Sequence, residues 1–149
     1  MRTITFRGLL KDQAQERIRL QTLAGKMGYK IKKLQLFPNG ATSAFNYESF
    51  VSIFSVKQTT IPADANPSFS DQLLLACGYY TQSSSGSIYP EDLNIVFDGV
   101  TFNQDIFISH SNSDGNESIN YYLELEQIRL DDMEASAVIL KNFRNTNTV

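Results

Sequence analysis

The stretch from Ser118 to Asn145, SINYYLELEQIRLDDMEASAVILKNFRN, changes its hydrophobic period partway along, and no other feature constrains the fold of this chain as much. From Ile119 the apolar residues Ile119, Tyr121, Leu123 and Leu125 take alternate positions, with Asn120, Glu124 and Glu126 on the other face. That is the period of a half-buried strand. After Asp131 the period becomes helical: Met133, Ala137 and Leu140 share a stripe, with Ile139 and Phe143 beside it. Asp131 followed three residues later by Glu134 is an acidic version of the capping box, which satisfies the free amides of a first helical turn. The spacing predicts a long strand and then a docked terminal helix over residues 132–143.

The rest of the chain reads as strands. Thr3 to Gly8 alternates through Ile4 and Phe6, Lys11 to Glu16 is a polar connection, and Arg17 to Thr22 alternates again through Ile18 and Leu20. In Tyr29 to Phe37, Tyr29 and Ile31 share one parity while Leu34 and Leu36 take the other, which predicts a β-bulge near Lys32 and Lys33. Pro38, Asn39 and Gly40 close that strand. Glu48 to Lys57 is apolar on both faces and belongs near the centre of a sheet, and Leu73 to Tyr80 is a further apolar strand. Between them, Pro62 and Pro67 make residues 58–70 a long loop, and the serines of Thr81 to Pro90 make another. Asp98-Gly99, with apolar residues on both sides, predicts a tight hairpin between Leu93–Phe97 and a long strand running from Val100 to about His110. Asp114-Gly115 predicts a second hairpin into the strand from Ser118. The sum is about eight strands in a single β-sandwich domain, all-β apart from the terminal helix, with an antiparallel jelly roll as the natural eight-stranded arrangement.

Composition agrees with one packed β domain. The 149 residues are 42% hydrophobic, enough for one sizeable core. The single cysteine, Cys77, rules out an internal disulfide and any cysteine-built metal site. Arg7 interrupts what would be the apolar core of a signal peptide, and the longest apolar run, Leu73 to Cys77, is far short of a membrane span, so a soluble protein assembled inside the cell is expected. Charge is unevenly placed: residues 1–33 carry +7 and the remainder −10, for a net −3. The basic third is expected against the acidic remainder or against the acidic part of a neighbouring copy; the plainer version is cross-strand pairing on a solvated sheet face.

No arrangement of residues in the sequence spells out a reaction. His110, the only histidine, has no nucleophile or orienting acid at a meaningful spacing, and Cys77 sits among Leu73, Leu74, Leu75 and Ala76 as a small apolar side chain. The turn Asn112, Asp114, Asn116, Glu117 fails as an EF-hand because His110 and Tyr121 hold the positions that open and close such a loop. Asp131, Asp132 and Glu134 are where a helix N-terminus wants negative charge. Glu124 and Glu126 stand about 7 Å apart on one strand face, within the range of glycoside chemistry, but alternation alone makes such pairs. The basic run Lys26 to Lys33, with Tyr29 inside it, is the best nucleic-acid candidate, opposed by the acidic balance of the whole and by the absence of a binding motif. No catalytic, metal or cofactor site is expected. The residues expected at protein contacts are Arg17, Arg19, Lys26, Tyr29, Lys30, Lys32, Lys33, Phe45 and Tyr47.

The segment TFNQDIFISHSNSDGNESINYYLELEQIRLDDMEASAVILKNFRN, together with TFRGLLKD and GYKIKKLQL, resembles small structural proteins of marine tailed bacteriophages, more weakly between residues 40 and 90. The resemblance implies a virion component assembled in the host cytoplasm: a capsid decoration or cement protein, a minor capsid component, or a vertex, portal-proximal or tail fitting. Its partners would be other virion proteins, either the major capsid protein or portal and tail proteins, with further copies of itself, and it would involve no membrane, cofactor or enzymatic step. The alternative is a tail or vertex component that binds a host-surface glycan or receptor, with the loop from Tyr79 to Tyr89 as the candidate contact.

Overall fold

A computed structural model describes residues 2–20, 26–39, 47–59, 68–82, 92–112, 117–131 and 137. Eight strands run through them: β1 (Arg2–Leu10), β2 (Gln15–Ile18), β3 (Met27–Pro38), β4 (Tyr47–Phe54), β5 (Leu74–Gln82), β6 (Asp92–Phe97), β7 (Ile106–Asn112) and β8 (Ile119–Arg129). They form two antiparallel sheets, a three-stranded one in the order β1-β8-β3 and a five-stranded one in the order β2-β7-β4-β5-β6. The all-β, two-sheet expectation therefore holds. The helix expected over residues 132–143 lies outside the described residues, except for Ala137.

Both sheets turn apolar side chains into one shared cluster that includes Leu10, Leu34, Leu36, Val51, Ile53, Ile108, Leu123 and Leu125. In β8 the alternation read from the sequence is the alternation of burial, with Ile119, Tyr121, Leu123 and Leu125 inside. Each such residue contributes about 1.5–3 kcal/mol by leaving water, so β8, paired on both edges, is the spine of its sheet. In β3 the pairing with β8 shifts register between Ile31 and Lys33, the bulge that the parity change required. Ile31 and Leu34 both point inward across it, while Lys32 and Lys33 remain exposed. β4 lies between β7 and β5, as its two apolar faces implied.

Close approach between the sheets demands one glycine in particular. A Cβ on Gly78 of β5 would lie 2.6 Å from Leu36 Cδ1 of β3, so the bare backbone there makes room for that leucine.

Both expected hairpins of the C-terminal half are absent. Among the described residues β6 pairs with β5 alone, and β7 pairs with β4 and β2, so Asp98-Gly99 does not join neighbouring strands. The chain instead leaves the five-stranded sheet and crosses to β3, where Tyr29 N donates to Phe102 O at 2.8 Å and Phe102 N donates to Tyr29 O at 3.0 Å. Phe102 is fully buried and its ring stacks on Tyr29 at 6.3 Å. Burial of that ring outweighs the local turn preference, and the long strand expected from Val100 begins only at Ile106. Nor do β7 and β8 pair, since they belong to different sheets. Residues 113–116, with Asp114-Gly115, lie outside the described residues.

Candidate functional site

Most groups singled out for chemistry hold the sandwich together. His110 is fully buried on β7, with Nδ1 3.1 Å from both Leu10 O and Lys11 O and Nε2 2.8 Å from Ser49 Oγ. Carbonyls only accept, so Nδ1 carries the proton and Nε2 accepts from the Ser49 hydroxyl. Ser49 Oγ accepts in turn from Asn112 Nδ2 at 3.0 Å. Burial lowers the His110 pKa; the carbonyls of Lys11 and Leu10 and the charge of Asp12 oppose it. A serine hydroxyl bonded to a histidine is the geometry of an activated nucleophile. Ser49 and His110 are both sealed from solvent, so the pair acts as a clamp joining the β1–β2 turn, β4 and β7. The sequence reading missed Ser49, because its partners lie about sixty residues away.

Cys77 is buried, and burial pushes its thiol pKa up. It alternates with Ala76 and Gly78 and does not belong to the shared cluster, so it lies on the face of the five-stranded sheet turned away from the core. There it borders an open groove of about 540 Å³ with Phe69, Val96, Phe97 and Asp98. Tyr121 bridges the sheets, its hydroxyl donating to Glu16 Oε2 at 2.9 Å, and its pKa is raised by burial first and then by Glu16. Among the described residues, no group of three or more His, Cys, Asp or Glu side chains is placed to hold a metal ion.

The expected contact residues separate. Tyr29 is buried under Phe102, and its hydroxyl donates to Leu20 O at 3.2 Å, which removes it from any surface and from stacking on a base. Arg17 is tied to Asp105, with Nε donating to Oδ2 at 2.7 Å, while the other carboxylate oxygen accepts from Leu20 N at 2.6 Å. That guanidinium therefore locks β2 to the approach into β7. Arg19 and Lys26 are exposed, and so are Lys32 and Lys33, while Lys30 is half-buried. Phe45 lies outside the described residues, and Tyr47 is the first residue of β4. The Ser-rich loop from residue 83 to 90 is also outside them.

The outward face of the three-stranded sheet brings β1, β8 and β3 together in four rungs. Thr3, Glu126 and Lys30 form one, Thr5, Glu124 and Lys33 the next, then Arg7, Tyr122 and Gln35, and last Leu9, Asn120 and Phe37. On the first two, a lysine of the basic third stands beside a glutamate of the acidic remainder, as the charge distribution suggested. Glu124 also accepts from the Tyr122 hydroxyl at 2.8 Å. The last two rungs differ in kind: they enclose an open bowl of about 610 Å³. Leu9 and Phe37, 44% and 74% exposed, form its walls, with Asn120 and Tyr122 as its floor. Among the described residues, Arg7, Gln35 and Asn120 have no side-chain hydrogen bond or ion pair.

No protein-family model matches the chain, and a search of curated proteins returns no match.

Proposed function

We propose that the chain is a jelly-roll structural subunit of a bacteriophage particle, a decoration or cement protein or a minor capsid component that acts through protein–protein contacts. The observation that carries the jelly-roll part of this reading is the strand order. A jelly roll winds eight strands as two Greek keys, which leaves strands 1, 8 and 3 adjacent in one sheet and 2, 7, 4 and 5 adjacent in the other. The orders β1-β8-β3 and β2-β7-β4-β5 follow that wiring. The sixth strand of the pattern is divided: β6 stays on β5, and Phe102 reaches the edge of β3 where the sixth strand would lie.

Fold alone does not assign a role. The particle role is supported by the resemblance of both ends of the chain to phage structural proteins and by the use of Ser49, His110, Asp105 and Arg17 as internal clamps. It also fits β1, nine residues long, which among the described residues pairs with β8 on one side and with no strand on the other. The test is sedimentation of the purified protein with particles that lack it. Saturable binding is expected, and a protein that remains monomeric and unbound rejects the reading. A tail or vertex fitting that binds a host-surface glycan is the second reading, favoured by the open bowl beside Phe37.

A further inference from the structure

We propose that the bowl at the Phe37 end of the three-stranded sheet binds an acidic pyranose ring of an oligosaccharide. This names a site and a ligand class for the second reading above. Strand geometry sets the bowl's dimensions: Leu9 and Phe37 stand two interstrand spacings apart, about 10 Å, and the two rungs are about 7 Å apart. That is room for one six-membered ring over Asn120. The volume of about 610 Å³ falls in the range of small-ligand sites.

The lining matches the two kinds of surface a sugar presents. A pyranose has an apolar C–H face and a rim of hydroxyls that both donate and accept. Phe37 and Leu9 offer apolar walls, and the amides of Gln35 and Asn120 both donate and accept. All of these side chains project from paired strands, so little order has to be imposed when a ligand arrives.

Arg7 supplies the preference for an acid. In register, Lys30 has Glu126 beside it and Lys33 has Glu124, while Arg7 has Tyr122. Among the described residues no carboxylate pairs with that guanidinium, whose planar fork matches a ring carboxylate with two parallel hydrogen bonds. A protein partner fits less well. A stable interface covers about 800 Å² on each side, whereas the apolar and amide lining spans two rungs and then gives way to the Lys–Glu rungs.

The test is a titration of the isotopically labelled full chain with a hexamer of galacturonate and with its methyl ester, followed by backbone amide NMR shifts. Shifts are expected at residues 7–9, 35–37 and 120–122, at millimolar ligand or below, with the acid binding more tightly than the ester. Phe37→Ala should weaken binding about tenfold. Arg7→Ala should bring the acid down to the level of the ester. Phe37 and Arg7 are exposed, so both variants should keep the wild-type melting temperature, which separates loss of site from loss of fold. Absence of shifts at millimolar acid, shifts mapping elsewhere, or equal binding of acid and ester overturns the proposal. Its failure leaves membership of a particle untouched, because that is decided by particle composition alone.

Discussion

His110 and Gly78 show how much of the fold rests on single positions that the sequence does not advertise. The partners of His110 are two carbonyls about a hundred residues earlier and a serine on another strand, so its role is visible only once the end of β1 in one sheet meets β4 and β7 in the other. Burial holds the folded-state pKa below its usual 6.5, so the unfolded chain takes up the proton first on acidification. The contribution of His110 to stability is therefore complete above pH 6.5 and is lost as pH falls from there through the lower folded-state value. Urea denaturation should show the wild type losing stability between neutral pH and about pH 5. His110→Gln should be less stable at neutral pH by about 2 kcal/mol and flatter across the same window. Equal pH dependence in both proteins would contradict the buried neutral clamp. At Gly78, a methyl group would collide with Leu36 Cδ1, so Gly78→Ala should destabilise by about 1–3 kcal/mol. Adding Leu36→Val should recover part of the loss in the same denaturation assay.

At the scale of elements, the sequence is legible where periodicity decides and misleading where turn chemistry does. The parity change in β3 was enough to find the bulge, because each half of that strand must turn its apolar side to the same core. Deleting Lys32 should consequently remove the bulge while leaving Tyr29, Ile31, Leu34 and Leu36 in one regular alternation against β8, whereas deleting Gln35, outside the bulge, should turn Leu36 to the wrong face at a cost of about 4 kcal/mol or more. Lys32→Ala, which keeps the extra residue, should change stability by less than about 0.5 kcal/mol. Thermal melting of the two deletions checks the contrast, and similar melting temperatures would mean that the facing of β3 is not fixed by its alternation. Asp98-Gly99 looked equally informative and was not. A turn signal fixes where a chain can bend; the receiving strand is chosen by burial, and Phe102 finds its buried place against Tyr29 in the other sheet. The same limit applied to Asp114-Gly115, whose flanking strands β7 and β8 belong to different sheets.

Across the whole molecule, the two-sheet class was legible from strand count and alternation, while the strand order was not, since it depends on pairings between distant segments. The charge asymmetry had a correct plain reading: the basic β3 lies along the acidic β8, with Lys30 beside Glu126 and Lys33 beside Glu124. The bowl escaped notice because its walls come from β1 and β3 and its floor from β8. Its one local sign was that Leu9 and Phe37 occupy the polar parity of their own strands. A sandwich whose buried polar groups serve as clamps and whose distinctive chemistry lies on its outside is suited to contact with neighbours. Quantitative mass spectrometry of particles purified from cultures that express the chain tests the proposed particle role most directly. The account predicts that the protein is present in many copies per particle, in constant ratio to the major capsid protein through successive purification steps. Its loss from the particles on purification, while the infected cells still contain it, would contradict the account.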